Sequence, residues 1–425
     1  MLPKRDEEAA NLLGLSLLIA AVMSALMVPI IYFGGDPLLE LLNAPELAPY
    51  LWLSPLAVFF GGLFLALNYW NSRTKRFGRL SLARINASIS TTGAQIGAGA
   101  GGYPTGGSLI GASILGSAVS TLLLGGQIWR DDRKVFQNSI RMGGMKWGFK
   151  RHRKFPLIET LSALLNTISW QLPLFLLSAF FSTSIVGLYA LGNRVLQLPM
   201  SFIGGSIAQV FFQRAAEARA EGKLSYLVEN VFKMLVIIGS FPIMILTFMG
   251  KDLFVVIFGP AWAEAGVYVQ ILGIYTFLWF ISSPIGTIYW VLEKQEFGLK
   301  FNIINIITRF LALMMGGLLG NPRISILLFA VSGIFVYSYY LTAIFRFSGV
   351  PMSNATEIIL NNFKLLAPAA VIILAFKTLN VDILIQICVS VFLTIVYYLF
   401  IIKTDPLVKN VLKRSGSRID SVKES

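Results

Sequence analysis

Apolar residues along this chain gather into runs of about 20, the length that lets an α-helix cross a hydrocarbon core of about 30 Å. The runs lie near 10–33, 52–70, 80–101, 107–128, 156–181, 183–212, 228–250, 265–291, 299–320, 324–345, 359–376 and 380–402. About twelve spans are predicted, and all are helical, because the two-residue alternation of a membrane barrel is missing. The connecting segments are short. Two of them, 34–51 and 251–264, are half apolar and read as helices lying in the membrane interface.

Composition agrees and adds an orientation. At 56% hydrophobic and 13% charged, the 425 residues exclude a water-soluble globular chain. A net charge of +14 would suit nucleic acid, but the basic residues follow the membrane instead. In the connecting segments Lys and Arg fall on one side: Lys4, Arg5, Arg73 to Arg79, the run from Arg130 to Lys154, Arg214, Arg219, Lys223, Lys294, Lys300, Arg346 and the stretch from Lys403 onwards. Only Lys251, Arg323 and Lys377 fall on the other. By the positive-inside rule the basic side is the cytoplasm, with both termini in it. The external loops leave no room for a catalytic domain. One cysteine, Cys388, excludes an internal disulfide, and one histidine, His152, excludes a metal centre of several imidazoles. No cofactor, nucleic-acid partner or cleavable signal peptide is expected.

What the spans carry inside them is the informative part. In "YALGNRVLQLPMSFIGGSIAQ", residues 189–209, Asn193, Arg194, Gln197 and Pro199 interrupt an apolar helix. Arg194 stands about eleven residues into its span, or ~16 Å from the outer boundary, too deep to snorkel. Such a charge costs at least ~2.5 kcal/mol unless it faces a wet cavity or a counter-charge. No Asp or Glu sits at comparable depth, so the expected partner is an anionic ligand. Arg309 falls at similar depth, while Arg84 is nearer the cytoplasmic end of its span and could also snorkel. Polar residues recur at helical spacing beside them: Arg84, Ser88, Thr91 and Gln95; Glu159, Ser162, Asn166 and Trp170; Asn193, Gln197 and Ser201. Stripes of this kind line a solvated path. Pro199 and Pro284 are candidate bending points, and Gly107 with Gly111 gives a G-x-x-x-G spacing that reads as close helix packing.

The chain also repeats itself. "YWNSRTKRFGRL" at 69–80 and "YWVLEKQEFGLK" at 289–300 share Tyr-Trp and Phe-Gly at the same spacing, 220 residues apart, each at a cytoplasmic junction between spans. "GGDPLLELLNAPEL" at 34–47 and "GKDLFVVIFGPAWAEA" at 250–265 correspond upstream. A six-helix parallel repeat follows, and it leaves the spans at 156–212 without partners in the first half.

At "LPKRDEEAANLLGLSLLI" (2–19), "YALGNRVLQLPMSFIGGSIAQVFFQRAAEA" (189–218), "FGPAWAEAG" (258–266) and "ILGIYTFLWFISSPIG" (271–286) the sequence resembles the oligosaccharide flippases of the multidrug/oligosaccharidyl-lipid/polysaccharide exporter superfamily, relatives of the lipid II flippase. The resemblance implies two bundled lobes around a central cavity. It assigns 1–128 to an N-lobe of four helices, 129–155 to a basic inter-lobe linker, 156–346 to a C-lobe of six, 347–402 to a terminal hairpin and 403–425 to a basic cytoplasmic tail. In the family the first of those stretches follows two helices, so the repeat and the resemblance both lead to the expectation of about 60–80 further N-terminal residues holding two spans.

The implied function is translocation of polyprenyl-diphosphate-linked oligosaccharide across a bacterial inner membrane, with membrane lipids and other polysaccharide assembly proteins as further partners. Arg84, Gln95, Asn166, Asn193, Arg194, Gln197 and Arg309 are the candidate substrate-binding residues. Guanidinium groups meet a diphosphate with paired donors. No G-x-x-x-x-G-K-[ST] loop is present for ATP, and the membrane potential, at about 2.3 kcal/mol per charge per 100 mV, favours outward movement of an anion. A multidrug exporter of the same superfamily would want carboxylates for cationic drugs. A polymerase or ligase of polysaccharide assembly would want a large external loop. Neither feature is in the sequence.

Overall fold

The structure, a computed structural model, describes residues 5–74, 76–152 and 154–409, without the side chains at 77, 149–163, 206, 209 and 213. Most of the expected basic tail, 410–425, lies outside the described residues, as do the side chains of His152, Glu159 and Ser162. Every regular element described is helical: α1 Asp6–Leu41, α2 Ala48–Leu51, α3 Ser54–Arg73, α4 Phe77–Ala100, α5 Gly106–Ser139, α6 Met142–His152, α7 Lys154–Phe180, α8 Thr183–Leu196, α9 Gly205–Ala220, α10 Leu224–Phe258, α11 Ala263–Gly286, α12 Ile288–Val291, α13 Gln295–Leu318, α14 Pro322–Ser348, α15 Met352–Thr378 and α16 Ile383–Thr404. Each predicted span falls on helix, the one at 183–212 on two, α8 and α9. Among the described residues eight helices are long and apolar enough to cross a membrane, or nine if α2 and α3, bent by 55°, form one span. α4 falls short because Arg79, Arg84, Asn86 and a series of hydroxyl side chains dilute it. α8 and α9 are each too short because the chain breaks between them.

The two segments expected in the interface differ from expectation. Residues 34–41 simply extend α1, and 251–258 extend α10, because hydrogen-bonded helix continues through each acidic stretch. A single 3-10 turn then follows in each case, Pro45–Leu47 and Pro260–Trp262. α4 and α13 are both 24 residues long and begin just after the two Tyr-Trp motifs. The elements therefore recur in order, α1, α3, α4 and α5 matching α10, α11, α13 and α14.

The chain divides into two compact units, Met1–Ala163 and Leu164–Ser425. In the first, α1 packs along α3 and α5, and α4 packs along α5. Its core gathers Ala10, Leu13, Leu67, Trp70, Leu124, Ile128 and Phe136. The close approach of α5 to α4 falls at Gly116, where any side chain would run into Thr91 and the Ala87 carbonyl, while Gly111 faces open space. The first Tyr-Trp motif closes this bundle. Trp70 Nε1 donates to Asp132 at 2.9 Å, Arg76 grips the same carboxylate at 2.9 and 3.1 Å, and Arg79 pairs with Asp131.

That network changes the reading of 129–155. Residues up to Ser139 continue α5, and α6 packs on α1, so at least the first part of the expected linker is built into the first unit. Asn11 holds the corner: its Nδ2 donates to the Glu7 and Ser139 carbonyls at 2.8 Å, and its Oδ1 accepts from the Arg141 amide at 3.0 Å. Replacing Asn11 with leucine strands the Ser139 carbonyl and the Arg141 amide, at a cost of ~1–3 kcal/mol for each group left buried. The expected result is earlier protease cleavage between α5 and α6 in N11L than in the parent chain, and equal cleavage rates would show that Asn11 does not hold this corner.

In the second unit α10 lies along α11, α11 and α13 lie along α14, and α15 docks on α10. Phe232, Leu235, Val269, Phe280, Ile281, Ile326 and Ile344 are among its core residues. The hairpin of α15 and α16 is tied in by buried polar contacts: the Asn362 amide donates to Ser240 Oγ at 2.6 Å, and the Tyr397 hydroxyl bridges Asn362 Oδ1 and the Ile237 carbonyl at 2.8 and 3.0 Å.

Candidate functional site

α8 is amphipathic in an unusual sense, since its outer face is small and cationic. Tyr189, Gly192 and Leu196 are buried, and Gly192 comes so close to the Ala265 carbonyl of α11 that a β-carbon would press on it. Two residues further on, at 100° per residue, Arg194 turns almost directly away from that seam. It is exposed, with exposed Gly187, Ala190, Leu198 and Ser201 along the same face. No hydrogen bond or ion pair to Arg194 is found among the described residues. Asn193 and Gln197 flank it, half-buried.

The helix gives way just after this arginine. α8 ends at Leu196, and residues 200–204 form a turn of π-helix before α9 resumes. Pro199 supplies the cause, having no N–H to give the preceding turn and a ring that crowds its carbonyl. π-turns of this kind are frequent at functional sites, where they mark a place that bends. Pro284 acts alike: α11 ends at Gly286 and the chain restarts as α12.

Arg84, in α4 of the first unit, is also exposed, as is Ser88. Gln95 and Thr91 are half-buried, and Thr91 turns towards Gly116 of α5. This stripe thus runs along the edge of a packing seam. Asn166, on α7, is exposed; Trp170, one turn on, is half-buried and meets Trp279 with ring centres 5.2 Å apart.

Arg309 has a different setting. It is only 1% exposed, enclosed within the second unit. Its Nη1 donates to the Ser169 carbonyl and hydroxyl at 3.1 and 3.2 Å, and its Nη2 to the Tyr275 and Tyr337 hydroxyls at 2.9 and 3.4 Å. The Trp170 and Phe329 rings lie 5.0 and 5.6 Å from the guanidinium carbon, a favourable arrangement for a cation against π-faces. Among the described residues its Nε has no partner, and neither does the buried Asn305 Oδ1 one turn earlier. The expectation of a ligand partner needs revision here, because neutral protein oxygens take four of the contacts. Ser169, Tyr275, Phe329 and Tyr337 were not legible as its partners: they stand on three other helices, up to 140 residues away.

The expected residues therefore sort into four groups. Asn193, Arg194 and Gln197 cluster at the end of α8, Arg84 and Gln95 share α4, Asn166 stands exposed on α7, and Arg309 is an interior hub joining α13 to α7, α11 and α14. Among the described residues no group of His, Cys, Asp or Glu could hold a metal ion.

Comparison with known proteins gives a consistent picture. A family model described as polysaccharide biosynthesis protein matches residues 6–267. The lipopolysaccharide biosynthesis protein WzxC of Escherichia coli (strain K12) is 23% identical over 296 residues, covering 68% of this chain and 57% of WzxC. The teichuronic acid biosynthesis protein TuaB of Bacillus subtilis (strain 168) is 26% identical over 158 residues, 36% of this chain and 32% of TuaB. These matches span from about a third to little more than half the length of those relatives. Among solved structures, the lipid II flippase MurJ in an inward closed conformation superposes with a TM-score of 0.72 at 15% identity, covering 94% of this chain and 84% of MurJ. That likeness is one of fold. With more than half its length matched by the family model, its long apolar helices and the fold of a lipid II flippase, this chain is a multi-pass membrane protein of the polysaccharide biosynthesis protein family.

Proposed function

We propose that the protein is a flippase that carries polyprenyl-diphosphate-linked oligosaccharide units from the cytoplasmic to the outer leaflet of a bacterial inner membrane. It works by alternating access through a cationic cavity and supplies the assembly of O-antigen, capsule or exopolysaccharide. The observation that carries this reading is Arg194: a cation set by sequence about half-way along its predicted span, exposed and facing away from its own packing seam, without a protein counter-charge among the described residues. A charge so placed is retained at a cost, and a mobile anion is the partner that offsets it. A diphosphate offers several acceptor oxygens to the fork of a guanidinium. Arg84 would serve as a second contact, and the amides of Gln95, Asn166, Asn193 and Gln197 would meet sugar hydroxyls.

In this scheme the chain makes and breaks no covalent bond; it binds, shields and releases. Arg309 keeps the second unit in shape without touching the substrate. The π-turn after Pro199 is where the α8 segment that bears Arg194 bends relative to α9 as the cavity reopens on the other side. The driving term for an anion leaving an inside-negative cell is the membrane potential.

The test is the leaflet in which the lipid-linked sugar resides. Depletion of the protein should make the lipid-linked unit accumulate in the cytoplasmic leaflet, shielded from an impermeant glycan-modifying reagent, with sensitivity to cationic drugs unchanged. Altered drug sensitivity with normal sugar export would replace this reading with that of a multidrug exporter.

A further inference from the structure

Between α10, α15 and the end of α16 the second unit forms a half-open cavity of about 480 Å³, lined by polar side chains and by Ile237, Ile358, Leu365 and Ile401. Its walls carry three donor–acceptor pairs. The Asn354 amide donates to Glu229 Oε2 at 3.2 Å, the Asn361 amide to Glu357 Oε1 at 3.5 Å, and Lys233 forms an ion pair with Asp405. Nothing in the candidate substrate path described above uses these residues. We propose that this cavity is a docking site for the saccharide part of the substrate, separate from the arginines that meet its diphosphate.

The chemistry selects the ligand class. Three carboxylates against one ammonium make the walls net negative, which repels phosphate. A simple cation is not the better fit, because each carboxylate already has a partner and Lys233 would face it. What remains is spare capacity for hydrogen bonds: an ionised carboxylate has about four acceptor sites and an amide both donates and accepts, so each pair can engage adjacent hydroxyls. Burial opposes charge on Asp405, but Lys233 and the Val408 and Leu407 amides outweigh it and hold this carboxyl below the usual range, so the third pair stays ionised. The volume lies within the range of small-ligand pockets and suits a short saccharide.

Position agrees with chemistry. The first turns of α10 and α15 and the last of α16 form the cavity; Lys223 precedes α10 and Lys403 stands in the last turn of α16, at the basic end that the positive-inside rule places in the cytoplasm. A sugar unit awaiting export would be met there. Its walls from α15 and α16 lie outside the elements that recur between α1–α5 and α10–α14. The choice of a saccharide rests on the flippase reading, whereas the existence of a hydroxyl-binding cavity does not.

The experiment uses the purified full chain in detergent and a panel of free, uncharged hexoses, N-acetylhexosamines and their disaccharides, followed by saturation-transfer NMR and thermal stability. At least one sugar should show transfer and raise the melting temperature. Glu357 and Asn361 are exposed, so E357Q and N361A should fold normally and weaken binding about tenfold, the equivalent of one lost hydrogen bond of ~1.4 kcal/mol. Absence of sugar binding in the parent, or binding unchanged in both E357Q and N361A, overturns the proposal; so does displacement of the sugar by phosphatidylethanolamine at equal concentration, which would mark a lipid-headgroup site. Sugar binding without transport would leave the cavity standing and remove the flippase reading, and transport without sugar binding would do the reverse.

Discussion

Replacement of Arg309 with alanine is expected to lower the stability of the second unit more than any other single change considered. The side chain is enclosed, and its loss leaves the Ser169 carbonyl and the Tyr275 and Tyr337 hydroxyls without their donor and opens a void beside Trp170 and Phe329. At ~1–3 kcal/mol for each buried group left unpaired, the total is roughly 3 kcal/mol or more. R309K should fall between parent and alanine, because one ammonium on a flexible stem cannot span Ser169 and Tyr275 as a planar guanidinium does. R309M, which fills the space without the donors, should be nearly as unstable as R309A. Thermal unfolding of the detergent-solubilised chain measures this, with transport per folded molecule as the second readout. A methionine variant as stable as the parent would show that shape alone holds the box. A stable alanine variant that no longer transports would return Arg309 to the substrate path.

Arg194 should behave in the opposite way. R194A is expected to insert and melt like the parent, within about 0.5 kcal/mol, as exposed substitutions away from special features do. Transport of the lipid-linked unit should nevertheless fall about 10- to 100-fold, the loss of one charged hydrogen-bonding group worth ~1.5–3 kcal/mol. R194K should recover only part of it, since paired donation to a diphosphate is lost with the guanidinium. The measurement is export of lipid-linked saccharide in cells that depend on the gene, normalised to folded protein in the membrane. Parent-level export by R194A would remove the cationic-site idea. Loss of both stability and export would make Arg194 structural, contrary to its exposed face on α8.

These two arginines look alike as sequence. Each stands about ten residues into an apolar run with no carboxylate at its depth, and nothing local separates them. The difference lies in what the other helices bring: two tyrosine hydroxyls, a serine and two rings close on Arg309, while α8 turns its buried face to α11 and leaves Arg194 outside. Asp131 and Asp132 show the same limit. They are a minor acidic interruption of a basic stretch until the fold sets them against Trp70, Arg76 and Arg79. The polar cavity under the hairpin was likewise invisible, because Glu229, Glu357 and Asp405 read as ordinary residues at the ends of spans.

The membrane class, the all-helical fold, the approximate positions of the spans and the internal order of the repeat were legible in the sequence alone. The reason is that each depends on local hydrophobic length or on charge beside a boundary, and a bilayer imposes those terms on every span separately. Whether α1 and α10 end at their acidic residues or run on, which part of 129–155 belongs to the first unit, and which intramembrane arginine is enclosed and which is free were decided only by tertiary structure. Those outcomes depend on partners far apart in the chain, where a hydrogen bond or an aromatic ring from another helix changes the cost of a buried charge and no local pattern records it.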